Sequence, residues 1–207
     1  FKLQPEDLER AITQHTRWLI LNSPNNPSGA VYSRQELRAL ADVLVHHPHV
    51  WVLCDDIYEH VLFDGREFCT MAQVAPELKD RTLTANGVSK AYAMTGWRVG
   101  WMIGPKDVIK AATNLQSHLT SNVANVSQRA AIAALTGNLD AVHEMGVAFD
   151  RRRKLIVGLL NEIPGIECPT PQGAFYVYPS VKGVLGKTIR GKVANTSAEL
   201  ATIILDE

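Results

Sequence analysis

Apolar residues in this chain fall into two patterns. Short continuous runs occupy residues 17–22 (Arg-Trp-Leu-Ile-Leu-Asn), 50–54 and 82–85. That length and continuity suit strands buried on both faces. Longer stretches repeat apolar positions every three or four residues and predict helices. One covers 5–15, opened by Pro5 and acidic residues. Another opens at the capping box Ser33-Arg-Gln-Glu36 and runs to about His46. Two more span about 106–119 and 124–136, the second ended by Thr136-Gly137-Asn138. A long one covers about 139–162, with Leu139, Val142, Met145, Phe149, Ile156, Leu159 and Ile163 as its apolar stripe. Pro164-Gly165 stops it.

Strand, helix and strand in alternation predict a parallel sheet covered by helices. Ligands of such sheets bind outside the carboxyl ends of the strands, and the polar clusters fall there. Asn25 and Asn26, in the turn Ser-Pro-Asn-Asn-Pro-Ser-Gly (23–29), follow the first strand. Asp55 and Tyr58 follow the second, and Lys90 follows the third. A fourth strand is expected over 98–103. Too few residues separate it from Lys90 for a parallel crossover, so it should return antiparallel with Arg98 at the same edge. Gly173-Ala-Phe-Tyr-Val-Tyr178 reads as a strand of a second domain. The expected fold is α/β: a mostly parallel sheet sandwiched by helices over 1–150, and the start of a smaller α+β domain over 151–207.

Composition adds exclusions. Hydrophobic residues make up 46% and charged residues 20% of 207, an ordinary globular balance. Lys+Arg and Asp+Glu are both 21. This neutrality gives no reason to expect nucleic acid or an anionic membrane as partner. No run reaches the ~18 apolar residues of a membrane span. Cys54, Cys69 and Cys168 lack metal spacing and read as reduced thiols of a cytoplasmic protein. The chain starts without Met and stops after a helical pattern, so it reads as a piece of a longer protein.

The segment Asn-Gly-Val-Ser-Lys-Ala-Tyr-Ala-Met-Thr-Gly-Trp-Arg-Val-Gly (86–100) carries the clearest chemistry. A lysine on a turn of small residues can form an imine with an aldehyde. An arginine eight positions on can clamp a phosphate bidentately. Pyridoxal 5′-phosphate has both groups. Other features read as structural. His46, His47 and His49 lie at a solvated helix end, and Arg151–Lys154 is an exposed helix face. Asp56 is a simple turn residue, Cys54 a buried strand residue, and Trp97 and Trp101 are packing residues. Phe175 and Tyr176 fit either the substrate side or the core.

Four segments together resemble the class I/II aminotransferases of pyridoxal-phosphate fold type I, nearest the bacterial aspartate/aromatic group. They are 23–29, Asp-Asp-Ile-Tyr-Glu-His (55–60), Ser-Lys-Ala-Tyr-Ala-Met-Thr-Gly-Trp-Arg-Val-Gly (89–100) and Gly-Ala-Phe-Tyr (173–176). The resemblance implies Lys90 as the imine lysine, Asp55 beneath the pyridine nitrogen, and Tyr58 and Asn26 on the ring's phenolic oxygen. It also implies Arg98 and Ser89 on the phosphate and a cis bond before Pro27. Gly87 stands where many relatives carry a phosphate-binding serine and offers only its backbone N–H.

The activity implied is transamination between an amino acid, aspartate foremost, and a 2-oxo acid such as 2-oxoglutarate. Lys90 would move the proton and Asp55 would stabilise charge. A homodimer is implied, with Ser121-Asn122 reaching across and Val123 in place of a frequent proline. The family's substrate-carboxylate arginine has no match between Gly173 and Glu207, Arg190 included. Decarboxylation or C–S cleavage on the same fold, or a non-catalytic sensor domain of a transcription regulator, are the alternatives.

Overall fold

The three apolar runs become neighbouring strands. The computed structural model describes residues 1–206. In it β1 (Trp18–Asn22), β2 (Trp51–Asp55) and β3 (Thr82–Gly87) run parallel in that order. β4 (Gly100–Ile103) returns antiparallel on β3. Asn22 lies opposite Asp55, and Asp55 opposite Ala85, so the carboxyl ends are level. The fourth strand is shorter than expected. Arg98 precedes it in the left-handed region (φ 55°), at the end of a 3-10 turn over Thr95–Trp97.

The helix α2 (Arg34–Val45) follows from its cap and its apolar spacing. Ser33 Oγ accepts from the Glu36 N–H, and the Glu36 carboxylate accepts from the Ser33 N–H. Leu37, Leu40, Ala41 and Leu44 then face Leu21, Val52 and Cys54 to form the main core. Arg81 closes the far end of α2. Its Nη2 donates to the Leu44 carbonyl (2.6 Å), and its Nη1 donates to those of His47 (2.8 Å) and Val50 (2.6 Å). The Leu44 and His47 carbonyls also accept from the His47 and Val50 N–H groups (2.9 and 3.0 Å), so Arg81 adds a second, charged donor to each.

The first helix, α1 (Pro5–Ala11), stops short of residue 15. Thr13 and Thr16 side chains accept from the N–H groups of His15 and Thr13, and this local bonding competes with the helix. The short helix α3 (Met71–Val74) carries its own Thr70–Gln73 capping box. Beyond β4 come α4 (Lys106–Leu119), α5 (Asn125–Thr136) and α6 (Asp140–Asn161). Ala131 of α5 packs on Val88, Val99 and Trp101, a second cluster beneath the Lys90 turn.

Other expectations change. The second half of the α6 stripe is uncovered: Ile156 and Leu159 are exposed, as is Ile163 just past the helix, and the buried residues of α6 are Val142 and Arg153. Arg153 is therefore no part of an exposed basic face. Residues 173–178 do not form a strand. Ala174 is left-handed (φ 56°), which breaks an extended run, and only an isolated bridge joins Gly173 to Leu62. The hairpin β5 (Thr188–Ile189) and β6 (Lys192–Val193) and the helix α7 (Ser197–Asp206) follow. Ala194, Leu200 and Ile203 make a separate small core with Val181, Val184, Leu185 and Ile189. The architecture is the α/β class expected. Helix α2 covers one sheet face, and Trp18 and Ile20 on the other are exposed in this chain. Among the described residues no helix is long and apolar enough to cross a membrane.

Replacing Arg81 with Met keeps the stem and removes three bonds to carbonyls. Urea denaturation of Arg81→Met should show a loss of about 2 kcal/mol, with Arg81→Lys intermediate.

Candidate active site

Parallel pairing gathers the predicted polar residues at one edge. Asn22, the last residue of β1, fastens two strand ends. Its Nδ2 donates to the Asp55 carbonyl (3.0 Å), and its Oδ1 accepts from the Asn26 N–H (2.7 Å). Sequence reasoning placed Asn22 in the first strand and missed this role. A polar residue closing an apolar run was the available signal. Asn25 shapes the turn from within, accepting at Oδ1 from the Ser28 N–H (3.0 Å) and hydroxyl (2.6 Å). The Asn26–Pro27 bond is cis, as the resemblance implied, and so is Ser23–Pro24.

Tyr58 is the hub of the cluster. It is 2% exposed. Lys90 Nζ lies 5.9 Å from its ring centroid and 6.0 Å from that of Phe175. The Tyr58 hydroxyl is 2.6 Å from that of Tyr176. Burial raises the Tyr58 phenol pKa, and the Tyr176 hydrogen bond and the nearby Asp55 charge add to the rise. The Asn26 side chain, hydrogen-bonding to the phenol, partly offsets it. Asn26, Asp55, Tyr58 and Lys90 thus share one neighbourhood. Phe175 and Tyr176, left open by the sequence, belong to it too.

Arg98 and Ser89 are held on the flank. Arg98 is exposed, and its Nη1 donates to the Thr95 carbonyl (3.0 Å). The Thr95 hydroxyl donates to the Ser89 carbonyl (2.9 Å), which ties the arginine turn to the lysine turn. The departure at Gly87 has a steric reason: a Cβ there would meet the Val99 carbonyl oxygen at 2.8 Å. Its N–H is already given to Asn86 Oδ1 (2.7 Å).

The aromatic wall reaches Tyr58 because residues 171–174 dock on the first turn. The Gln172 and Gly173 N–H groups both donate to the Gly29 carbonyl (2.8 and 3.0 Å), and the Ala174 N–H donates to the Val61 carbonyl (2.9 Å). A Cβ on Gly173 would lie 2.7 Å from Pro24 Cβ and 2.8 Å from the Val61 oxygen, so glycine sets the approach. Arg153 anchors the segment from α6. It donates to the Pro171 carbonyl (2.7 Å) and bidentately to Asp64 (2.8 and 2.7 Å), with its guanidinium 4.4 Å from the Phe63 ring centroid.

The family model for aminotransferase class I and II matches residues 1–207. The aspartate aminotransferase of Streptomyces avermitilis is 56% identical over 207 residues, which is 100% of this chain and 50% of that protein. The aspartate/prephenate aminotransferase of Cereibacter sphaeroides is 52% identical over 208 aligned residues, 100% of this chain and 52% of that protein. The crystal structure of the Rhizobium meliloti aspartate aminotransferase superposes with a TM-score of 0.95 at 51% identity, covering 100% of this chain and 52% of that one. The chain belongs to the class I and II aminotransferases. It spans about half the length of the curated relatives it matches.

One acid in this aminotransferase chain departs from expectation. Asp56 is 5% exposed, whereas the sequence reading made it a simple turn residue. Burial lifts its carboxyl to about 7, with Glu59 and Asp55 adding repulsion and a Thr70 hydrogen bond opposing the rise. The same burial, with Asp56 nearby, raises the Cys54 thiol to about 12, so this thiol stays protonated and inert. The side chains of Asp55 and Asp56 leave the strand end on opposite faces, as successive residues must. Only Asp55 is on the Tyr58 side.

Two outcomes follow from this packing. Gly173→Ala should lower the thermal midpoint, with a stability loss of about 1–3 kcal/mol from the forced contacts. The unfolded Asp56 carboxyl ionises near 3.8 and the folded one near 7. Unfolding therefore releases a proton between these values, and this residue's contribution falls as pH rises through the window. Asp56→Asn should show a smaller drop in thermal midpoint between about pH 5 and pH 8 than wild type.

Proposed function

We propose that the protein carrying this chain is a pyridoxal-phosphate-dependent aminotransferase that moves an amino group between aspartate and a 2-oxo acid such as 2-oxoglutarate. The observation that carries the reading is the position of Lys90 Nζ beside the buried Tyr58, within one strand-end cluster that also holds Asp55 and Asn26. The donor set fits the cofactor's groups: an amine for an aldehyde, a carboxylate for a pyridinium, a phenol and an amide for a phenolic oxygen, and an exposed guanidinium for a phosphate. The relatives' names, aspartate and aspartate/prephenate aminotransferase, support aspartate as the amino donor.

In this reading the bound cofactor supplies an electron sink for the bonds at the substrate's Cα. Lys90 would hold the cofactor's aldehyde group, and its amine would move the proton at the substrate's Cα. Asp55 holds a proton at the pyridine nitrogen, anchored through Asn22 and the Ile57 N–H (3.3 Å). Tyr58 and Asn26 donate to the phenolic oxygen. Arg98 takes the phosphate, with Ser89 beside it. Residues 1–150 form the cofactor-binding part, and 151–207 open a smaller domain with its own core around Leu200. Decarboxylation and C–S cleavage need the same lysine, but the relatives' names do not favour them.

The protein acts as a homodimer in the cytoplasm. Among the described residues none in α4 is buried, and Leu115 and Leu119 of α4 are exposed; exposed Ile132 and Leu135 of α5 line a cavity of about 500 Å3 together with Ser121 and Asn122. That apolar area suits a second copy. Cys54, Cys69 and Cys168 are free and buried, in keeping with a reducing compartment.

The test is spectroscopic and kinetic. Full-length protein mixed with pyridoxal phosphate should develop a visible absorption band that Lys90→Ala abolishes. Aspartate turnover dependent on 2-oxoglutarate should fall at least ~10³-fold in that variant. Turnover of aspartate without any 2-oxo acid would overturn the transaminase assignment.

A further inference from the structure

Tyr58 has a partner behind it. The hydroxyls of Tyr58 and Tyr176 are 2.6 Å apart, and the rings meet nearly edge-on at 84° with centroids 5.7 Å apart. Phe175 packs against both, edge-on to Tyr58 at 5.3 Å and tilted to Tyr176 at 4.9 Å. The charged and polar groups around the pair are Asp55, Lys90 and the Asn26 amide.

A phenol has one proton to give and two lone pairs to accept with. Tyr58 cannot donate to Tyr176 and to a cofactor oxygen at once. When Tyr58 gives its proton to a phenolate oxygen, Tyr176 becomes the donor across the 2.6 Å contact. Donation into the Tyr58 oxygen polarises its O–H and strengthens the bond on the far side. The position of Tyr176 is well determined. Gly173 fits where no side chain would, Ala174 is fully buried, and Arg153 holds the Pro171 carbonyl.

We infer that Tyr176 is a positioning residue for amino transfer: its hydroxyl donates to Tyr58 and so reinforces the Tyr58 hydrogen bond to the phenolic oxygen of the cofactor. The inference rests on the pyridoxal-phosphate reading above. A reinforced bond favours the deprotonated phenolic oxygen. It therefore lowers the pH at which the lysine-linked cofactor changes its visible absorption.

The experiment titrates that absorption from about pH 5 to about pH 9 in the full-length, cofactor-loaded protein. Wild type, Tyr58→Phe, Tyr176→Phe and the double variant are compared. Both substitutions keep the ring and its packing. Tyr176→Phe should move the midpoint upward by about half a pH unit, the size of one modest hydrogen bond. Tyr58→Phe should move it further. The double variant should match Tyr58→Phe, because the second hydroxyl then has nothing to act through. An unchanged midpoint in Tyr176→Phe overturns the inference. So does a full additional shift in the Tyr58→Phe background, which would make the two hydroxyls independent. In both cases the band itself remains and the cofactor reading stands. Absence of any band in wild type would overturn that reading and this inference together.

Discussion

The register of three parallel strands governs everything at this site. With Asn22, Asp55 and Ala85 level, three loops must begin at the same height along one sheet edge. Each loop is stiffened differently. The first is an asparagine-bonded turn, the second a turn closed on the Asp55 carboxylate, and the third a tight stretch against β4. A shift of one residue in β2 would turn Asp55 to the Cys54 face and remove it from Tyr58.

A second constraint brings in residues far along the chain. Tyr58 and Tyr176 are 118 positions apart and meet only because 171–174 lie flat on the Gly29 turn and the Val61 carbonyl. Arg153 makes that docking secure. Its guanidinium is nearly fully buried, and the bidentate Asp64 pair with the Pro171 carbonyl compensates for the desolvation of its charge. The contact links α6, the loop after Tyr58 and the aromatic wall. The arrangement beside Lys90 thus depends on one arginine outside the cluster.

Much of the site was legible because its chemistry sits in short local motifs. Lys90 and Arg98 belong to one segment, Asp55 and Tyr58 to another, and strand direction sufficed to bring them to one edge. The errors arose where burial depends on distant partners. Arg153 looked like one of several surface cations, and nothing nearby in sequence announced Asp64 or Pro171. Asp56 read as a simple turn residue, although the pleat turns it into the buried side with Cys54. The 173–178 run has the composition of a strand, yet Ala174 is left-handed because the docking onto Val61 requires it.

The amino-acid sequence alone determined the four strands of the main sheet, the capped helix after the first turn and the antiparallel return of β4. These rest on apolar period, cap chemistry and loop length, which act over a few residues. Only the tertiary structure decided which charges are buried, how the Tyr58 hydroxyl is partnered and which helix faces stay open. Those outcomes depend on contacts between separate segments, 18 residues apart for Arg153 and Pro171, 89 for Arg153 and Asp64 and 118 for Tyr58 and Tyr176, and local pattern carries no information about such pairings.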